Sequence, residues 1–237
     1  TGPVRAALPR RRRPHDLDRL MEALWFWLAA VTIAIYVVAD GVDFGAGMLH
    51  LLVARDDAER RGVLGAIGPY WDGNEVWLLA AGGVLFLAFP PVLAAGLSGF
   101  YLPIMMVLWT LILRGIAIEF RSHEDHVLWR AFWDGVFALA STLLPVLLGV
   151  ALGNVVRGVP LDHTRNFQIP LWTDFGTAPP VGALDWYTGL VGGFSAVALA
   201  AHGAVFLAWK TSGAVRSRAF RAALPLWLGV VVLLPVV

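Results

Sequence analysis

Two carboxylates and an amide lie where a long apolar run begins. Asp72, Asn74 and Glu75 fall within four consecutive positions, and mostly apolar residues follow them as far as Leu97. Ionisable groups at a membrane boundary are costly, so they are usually retained for a function such as moving protons or ions. The same Asp-x-x-Glu spacing is also a capping-box pattern, with Asp72 as the N-cap. Both interpretations stay open, because a carboxylate can cap a helix and still exchange protons.

A second pair of carboxylates interrupts the first apolar run. Asp40 and Asp43 lie three residues apart, which places them at neighbouring positions on one helix face. Gly41, Gly45 and Gly47 remove side-chain bulk beside them, so another helix or a cofactor could approach closely. The pair either ends the span in the lipid headgroup layer or makes a buried polar contact.

A single arginine interrupts the third apolar run. Arg114 lies near the end of that run, with Glu119 and Arg121 close behind it. Its side chain either reaches the membrane surface along its aliphatic stem or is held inside. A cation held inside would bind an anionic partner such as a carboxylate or a haem propionate.

One histidine lies deep in an apolar run. His202 is a candidate haem ligand, proton relay or hydrogen-bonded packing residue. His50, His123 and His126 lie at the ends of apolar runs and are predicted to be surface groups. No pair of histidines has metal-ligand spacing, no phosphate-binding Gly-Lys-Ser/Thr occurs, and the chain has no cysteine. The sequence therefore predicts no metal site built from this chain's own residues.

The composition is that of a membrane protein. Apolar residues make up 58% of the chain and charged residues only 15%, against about 25% in soluble domains. The mean hydropathy is +0.70. The formal net charge of +1 argues against a nucleic-acid partner.

Six apolar runs are candidates to cross a bilayer, which takes about 20 residues. The runs cover approximately residues 24–52, 76–97, 100–120, 132–156, 184–209 and 224–237. They predict an all-α polytopic membrane protein. The sixth run continues to the last residue, which predicts a chain truncated at its C-terminus.

Basic residues are unevenly distributed between the connections. Those after the first, third and fifth runs carry ten Lys and Arg residues, and those after the second and fourth carry two. The positive-inside rule therefore places the odd-numbered connections in the cytoplasm. Residues 1–20 hold six arginines and contradict this topology. We predict that residues 1–20 are a non-native or disordered basic tail and that residues 21–237 form the membrane domain.

Several separate segments resemble subunit II of the cytochrome bd-type quinol oxidases, and together they cover essentially Met21 to the end. The resemblance is strongest around Asp72, in the sequence Gly-Pro-Tyr-Trp-Asp-Gly-Asn-Glu-Val-Trp-Leu. The other matching segments are residues 40–49, 59–61, 82–86, 89–90, 98–101, 119–121, 133–134, 153–154, 158–160 and 202–204, together with Arg114.

This resemblance implies a fold of about eight spans in two four-helix bundles, of which about six spans are present. It implies a heterodimer that oxidises quinol and reduces O2 to water in a bacterial or archaeal cytoplasmic membrane. Subunit I would carry the quinol site and the b-type and d-type haems. A small single-span accessory subunit, a structural quinone and membrane lipid are further expected partners.

The resemblance also assigns candidate site residues. Asp72 matches the carboxylate of a cytoplasmic proton path, with Glu75 as a supporting member. Candidates to lie near a haem or quinone at the subunit interface are Arg114, Trp71 and Trp77. Polar residues expected inside the membrane are Asp40, Asp43, Glu119 and His202. Two alternatives to an oxidase subunit stay open: a proton-coupled secondary transporter, which also uses intramembrane carboxylates and Gly-rich helices, and a purely structural scaffold.

Overall fold

The computed structural model describes residues 14–237, with side chains placed from residue 17 onward. Residues 1–13 of the predicted basic tail lie outside this range, and residues 14–20 belong to the first helix. The helices are α1 (Pro14–Val53), α2 (Asp57–Ile67), α3 (Trp71–Ala88), α4 (Pro90–Gly99), α5 (Tyr101–Phe120), α6 (Val127–Arg157), α7 (Trp186–Lys210) and α8 (Gly213–Leu233), followed by the 3-10 turn Leu234–Val236. The described residues form no strand beyond one isolated bridge, which confirms the all-α class.

Five of these helices, α1, α5, α6, α7 and α8, are long and apolar enough to cross a membrane. A sixth span is possible only if α3 and α4 are taken together, and these two helices are bent by 118° relative to each other. The second apolar run therefore forms two helices with a sharp bend between them. The bend falls at Phe89 and Pro90, because proline lacks the N–H and its ring clashes with the preceding helical turn.

Helices α1, α3, α5 and α6 form a four-helix bundle. Tyr36 and Phe44 of α1 pack against Leu144 of α6, and partly buried residues of α3 and α5 complete this core. Helix α7 packs against both α1 and α6, and α8 packs against α7. The predicted bundle architecture is confirmed, with α7 and α8 added to one side.

Helices α1 and α7 touch backbone to backbone. A Cβ atom added at Gly45 would lie 2.2 Å from the Leu199 carbonyl oxygen and 2.6 Å from the Gly203 Cα atom. Any side chain at Gly45 or Gly203 would separate the helices. This contact fixes the part of α1 that carries the polar residues.

The connections rich in basic residues meet at one end of the bundle. Arg121, at the end of α5, binds Asp57 of α2, and Arg218 of α8 binds Glu59 of α2. The long connection between α6 and α7 lies at the other end, where Phe167 packs edge-on against Phe100. This arrangement agrees with the predicted grouping of the connections.

Candidate functional site

A buried arginine organises the centre of the four-helix bundle. Arg114 Nη1 donates to Asp40 Oδ1 at 2.8 Å, and its Nη2 donates to Glu75 Oε1. The guanidinium carbon lies 4.6 Å from the centre of the Phe44 ring. Because the Arg114 side chain is 0% exposed, it does not reach the membrane surface.

A third carboxylate, that of Asp43, accepts from an amide of α3. Asn74 Nδ2 donates to Asp43 Oδ2 at 2.8 Å and to the Ala39 carbonyl oxygen at 3.1 Å. Asp40 and Asp43 are both completely buried, so they make buried polar contacts and do not lie in a headgroup layer. We name Asp40, Asp43, Glu75 and Arg114 the inner cluster.

The inner cluster holds more acid than base. The cluster has three carboxylates and one guanidinium, which bonds to two of them. The buried atoms Asp40 Oδ2 and Asp43 Oδ1 have no hydrogen-bond partner among the described residues. Uncompensated negative charge inside a protein is costly unless a proton or another cation offsets it. The cluster is therefore chemically suited to taking up and releasing protons.

Asp72 lies one turn before Glu75 on α3. Its side chain is exposed, and it makes no cap: α3 begins at Trp71, and Tyr70 is the N-cap residue with no side-chain cap bond. The predicted capping box is wrong, because Glu75 bonds to Arg114 instead of to the helix start. Positions three apart share a helix face, so Asp72 lies on the same face of α3 as Glu75, which belongs to the inner cluster.

The remaining predicted residues are spread over the surface of the bundle. Trp71 packs beside Gly115 of α5, Trp77 faces outward, and Glu119 is exposed at the end of α5. His202 is half-buried, with its Nε2 atom 3.1 Å from the Val38 carbonyl oxygen. The structure therefore brings none of these four into the inner cluster.

His202 lines a cleft of about 330 Å³ on the side of the bundle. Asn74 contributes to its wall, and Lys210 stands at its edge, where Nζ donates to the Tyr70 hydroxyl at 3.0 Å and lies over the Trp209 ring. The cleft is lined by both polar groups and apolar side chains. Its size is at the lower end of small-molecule sites, which span about 300–1,000 Å³.

A second buried ionic group lies nearer the basic end of the bundle. His50 Nε2 donates to Asp134 Oδ1 at 2.6 Å, and Arg60 and Arg121 also donate to Asp134. Arg121 donates in addition to Asp57 Oδ1 at 2.8 Å. We name these five residues the end cluster.

The end cluster corrects one prediction and adds a feature that sequence reasoning missed. His50 is completely buried, so its assignment as a surface group was wrong, whereas His123 and His126 are exposed as predicted. Asp134 interrupts an apolar run, and that interruption was the available signal for a buried partner.

Ion pairs attach α2 to the rest of the bundle. Bonds from Arg121 and the nearby Arg130 and Arg61 lower the pKa of Asp57 below its ordinary value. The paired guanidinium of Arg218 and the backbone N–H of Arg55 lower the pKa of Glu59 to about 2. Both carboxylates are therefore ionised at neutral pH and hold α2 in place.

The residues that the structure describes do not fit a haem ligand set. The described part of the chain contains no group of three His, Asp or Glu side chains placed to hold a metal. The Nε2 atoms of the two histidines inside the helices, His50 and His202, face Asp134 and the Val38 carbonyl oxygen. Arg114 is 0% exposed, and each of its terminal nitrogens donates to a carboxylate of this chain.

Comparisons with known proteins point to one family. The sequence profile described as cytochrome bd terminal oxidase subunit II matches residues 21–237. The chain is 37% identical over 201 residues to cytochrome bd ubiquinol oxidase subunit 2 of Bacillus subtilis (strain 168), covering 84% of this chain and 56% of that protein. It is 36% identical over 199 residues to cytochrome bd-I ubiquinol oxidase subunit 2 of Escherichia coli (strain K12), covering 84% and 51%.

A third relative is the probable cytochrome oxidase subunit 2 of Haemophilus influenzae, 38% identical over 198 residues, which are 83% of this chain and 50% of that protein. The chain thus spans about half the length of the curated relatives that it matches. The match to the family profile nevertheless covers almost all of this sequence. The chain belongs to the cytochrome bd terminal oxidase subunit II family.

Proposed function

We propose that this chain is part of subunit II of a respiratory oxidase that couples quinol oxidation to the reduction of O2 to water. Family membership and the names of the relatives as ubiquinol oxidase subunits support this activity. A subunit I partner would hold the b-type and d-type haems, as the resemblance to the family implies. The expected location is the bacterial cytoplasmic membrane, where several helices of this chain are long enough to span.

The second part of the proposal is that Asp72 and Glu75 begin a proton path toward the haem-bearing subunit. The observation that carries it is that exposure falls from Asp72, through Glu75 on the same helix face, to the buried Arg114 and Asp40 that lie behind Glu75. Asp72 is exposed, Glu75 is 30% exposed, and Arg114 and Asp40 behind it are 0% exposed. Each O2 molecule reduced to water takes up four protons, and titratable side chains can carry them through a dry region.

In this assignment Arg114 holds the acids of the path together. Its two terminal nitrogens separate the carboxylates of Asp40 and Glu75 and offset part of their charge. Trp77 faces outward beside the path and is a candidate contact for the partner subunit. The cleft beside His202 is where we would place a structural quinone or a lipid, because hydrogen-bonding groups there adjoin apolar walls.

The proton path is tested by Asp72→Asn in the whole oxidase, purified with its partner subunit. The variant should assemble with a normal optical spectrum of b-type and d-type haems and lose most O2 reduction. A loss of about 10²-fold is typical of a blocked proton-transfer step. Asp72→Glu should retain part of the activity, because the carboxylate is restored at a different distance.

Glu124→Gln is the matched control, since Glu124 is an exposed carboxylate near the same end of the bundle with no hydrogen bond assigned to it. Turnover of Asp72→Asn at the parental rate would remove Asp72 from the path. Haem-free chain that takes up a substrate by itself would favour the transporter. Full activity in every acid variant of the inner cluster would favour the scaffold.

The sidedness of the path is tested by cysteine labelling, because the chain has no cysteine of its own. Gly62 of α2 is exposed, and a Cβ atom there would meet nothing within 4 Å. Gly62→Cys should react with an impermeant reagent only from the cytoplasmic side, and the exposed His163, replaced by Cys, only from the opposite side. The reverse pattern would place Asp72 at the wrong face for cytoplasmic protons.

A further inference from the structure

The cleft beside His202 continues into an apolar groove on α1. The groove has a volume of about 330 Å³, and its walls are Val31, Ala34, Ile35, Val38 and Ala39. Val38 and Ala39 also line the cleft, so the two spaces adjoin. We name the cleft and the groove together the long groove. One of its ends is lined by polar groups, and the other by aliphatic side chains alone.

The length of the long groove matches one leaflet of a bilayer. Val42 lines its polar part and Val31 its apolar end, and these residues are eleven positions apart on α1. A rise of 1.5 Å per residue makes this distance about 16 Å. The hydrocarbon core of a membrane is about 30 Å thick, and each leaflet supplies half of it. A lipid chain that starts at the polar end, beside the beginning of α3, would therefore follow α1 to about the middle of the membrane.

Lys210 carries the charge of the polar end. It is the last residue of α7, and its Nζ atom donates to the Tyr70 hydroxyl at 3.0 Å and lies 4.6 Å from the centre of the Trp209 ring. An ammonium group has three donors, and Lys210 forms no ion pair with a carboxylate of the described residues. Trp and Tyr side chains are enriched at the level of lipid headgroups, so this end of the groove is suited to a headgroup.

The charges at the polar end discriminate between headgroups. The residues that line the cleft include one ammonium group and no carboxylate. A phosphate oxygen is a strong acceptor for the remaining donors of Lys210. An ethanolamine or choline head would add a second cation with no acid to meet it, and like charges repel. The head of a quinone is uncharged and would leave the ammonium group without a counter-ion.

We propose that the long groove binds an anionic phospholipid, such as phosphatidylglycerol, from the leaflet at the basic end of the bundle. The phosphate binds Lys210, and one acyl chain lies along α1 against Val38, Ile35 and Val31. The site recognises the phosphate by its charge and the chain by the apolar walls.

The bound lipid covers one side of the inner cluster. Asn74 lines the cleft, and its Nδ2 atom donates to Asp43 Oδ2 at 2.8 Å. A chain seated in the long groove keeps water away from that amide and from the buried carboxylate behind it. This inference rests on the proposed function and deepens it, because it assigns to an anionic lipid the place proposed there for a quinone or a lipid.

The experiment measures which lipid the whole oxidase retains when it is purified with its partner subunit and washed in detergent. Mass spectrometry of the complex should find phosphatidylglycerol in preference to phosphatidylethanolamine. Phosphatidylglycerol added to the delipidated oxidase should raise its unfolding temperature, because a ligand that binds the folded state stabilises it. The dependence of this rise on lipid concentration gives the affinity.

Lys210→Gln tests the headgroup contact. This change removes the charge but keeps a side chain that can donate a hydrogen bond. The affinity for phosphatidylglycerol should fall about tenfold or more, as expected for the loss of a hydrogen bond to a charged group. Arg216→Gln is the matched control, since Arg216 is an exposed cation near the same end of the bundle that lines neither the cleft nor the groove. Its affinity should equal that of the parent.

Val38→Trp tests the chain contact. Val38 is 62% exposed and lines both spaces, so a larger side chain there should fill their junction without disturbing a buried contact. Retention of phosphatidylglycerol should be lost. Val37→Trp is the matched control, because Val37 is also exposed but lines neither space. This pair decides the question if Lys210→Gln prevents assembly.

Equal retention of phosphatidylglycerol in the parent and in all four variants would overturn the lipid site. A quinone retained by the parent and lost in Val38→Trp, with no phosphatidylglycerol bound, would assign the long groove to the quinone instead. An oxidase that retains neither would show that protein covers the groove, which would also refute the proposal. The haem spectrum of the same preparations tests the proposed function separately. A haem-free complex that still binds phosphatidylglycerol through Lys210 would contradict the oxidase and support the lipid site.

Discussion

The inner cluster and the end cluster are both buried ionic groups on the same helices, yet their charge balances are opposite. The inner cluster has three carboxylates and one guanidinium, which bonds to two of them, while the third accepts from Asn74. In the end cluster the carboxylates of Asp57 and Asp134 are contacted by one imidazole and by four guanidinium groups. Two of these four belong to Arg61 and Arg130, which bind Asp57 but are not members of the cluster. The first group has an excess of acid and the second an excess of base.

Hydrogen bonding follows the same division. Both oxygens of Asp57 and both oxygens of Asp134 accept bonds. Asp40 and Asp43 each keep one buried oxygen without a partner among the described residues. A saturated group fastens helices together, whereas a group with free acceptors has room to bind a proton. Burial of charge alone therefore does not distinguish a structural site from a chemical one.

The largest effect is expected from Arg114→Leu. This change removes the cation of the inner cluster and leaves its buried carboxylates uncompensated, which typically costs about 3–5 kcal/mol. Thermal unfolding of the purified oxidase should occur at a clearly lower temperature, and the yield of haem-containing complex should fall. Arg130→Leu is the control at the other cluster, because Arg130 is partly exposed and one of several partners of Asp57.

A normal unfolding temperature and haem content in Arg114→Leu would show that the inner cluster tolerates its charge without the arginine. An equal loss in Arg130→Leu would remove the distinction between the two clusters.

The second-largest effect is expected when an aspartate is replaced by asparagine in each of the two clusters. Asp134→Asn takes a carboxylate from four donors and should lower the free energy of unfolding by about 1–3 kcal/mol. Asp43→Asn removes one charge from an acid-rich group and should not lower stability, but it should slow turnover. Chemical denaturation and O2 consumption, measured on the same preparations, check the two directions. Loss of stability in both variants would mean that the excess of acid has no energetic consequence.

The sequence predicted the fold more completely than it predicted the site. The apolar runs are long and separated by charged connections, so they located α5, α6 and α7 to within about five residues. Helices α1 and α8 begin ten and eleven residues before their apolar runs, and α2 lies outside every run. In the second run, the doublet of prolines after Phe89 carried the signal for the bend. Local patterns of this kind are readable because bilayer thickness and backbone hydrogen bonding dictate them.

Side-chain partners were harder to predict because they depend on packing between distant segments. Asp40, Glu75 and Arg114 were each recognised as polar residues in apolar surroundings. Their mutual binding joins positions 74 and 39 residues apart, which no local spacing reveals. The capping-box prediction failed for the same reason, since a local rule competed with a buried guanidinium. His50 was misassigned because its partner Asp134 lies 84 residues away.

The smallest effect is expected at α2, which is fastened by partly exposed ion pairs. Arg218 holds Glu59 with two bonds, at 2.7 and 3.1 Å, and the Arg55 backbone N–H adds a third. These contacts lower the pKa of Glu59 to about 2, below its ordinary value near 4.5. A carboxylate with a lowered pKa contributes stability that is fully present above its unfolded pKa and is lost as the pH falls toward its folded value.

The attachment of α2 should therefore be constant from neutral pH down to about pH 5 and weaken between pH 4.5 and 2. A spin label on Gly62→Cys reports this directly, because that position is exposed and free of neighbours. Its mobility should rise within that window, and Glu59→Gln should already show part of the increase at neutral pH. The change is small because surface ion pairs are worth little individually, and the Asp57 contacts keep α2 attached. A label whose mobility is the same in Glu59→Gln and in the parent would show that the end cluster alone holds this helix.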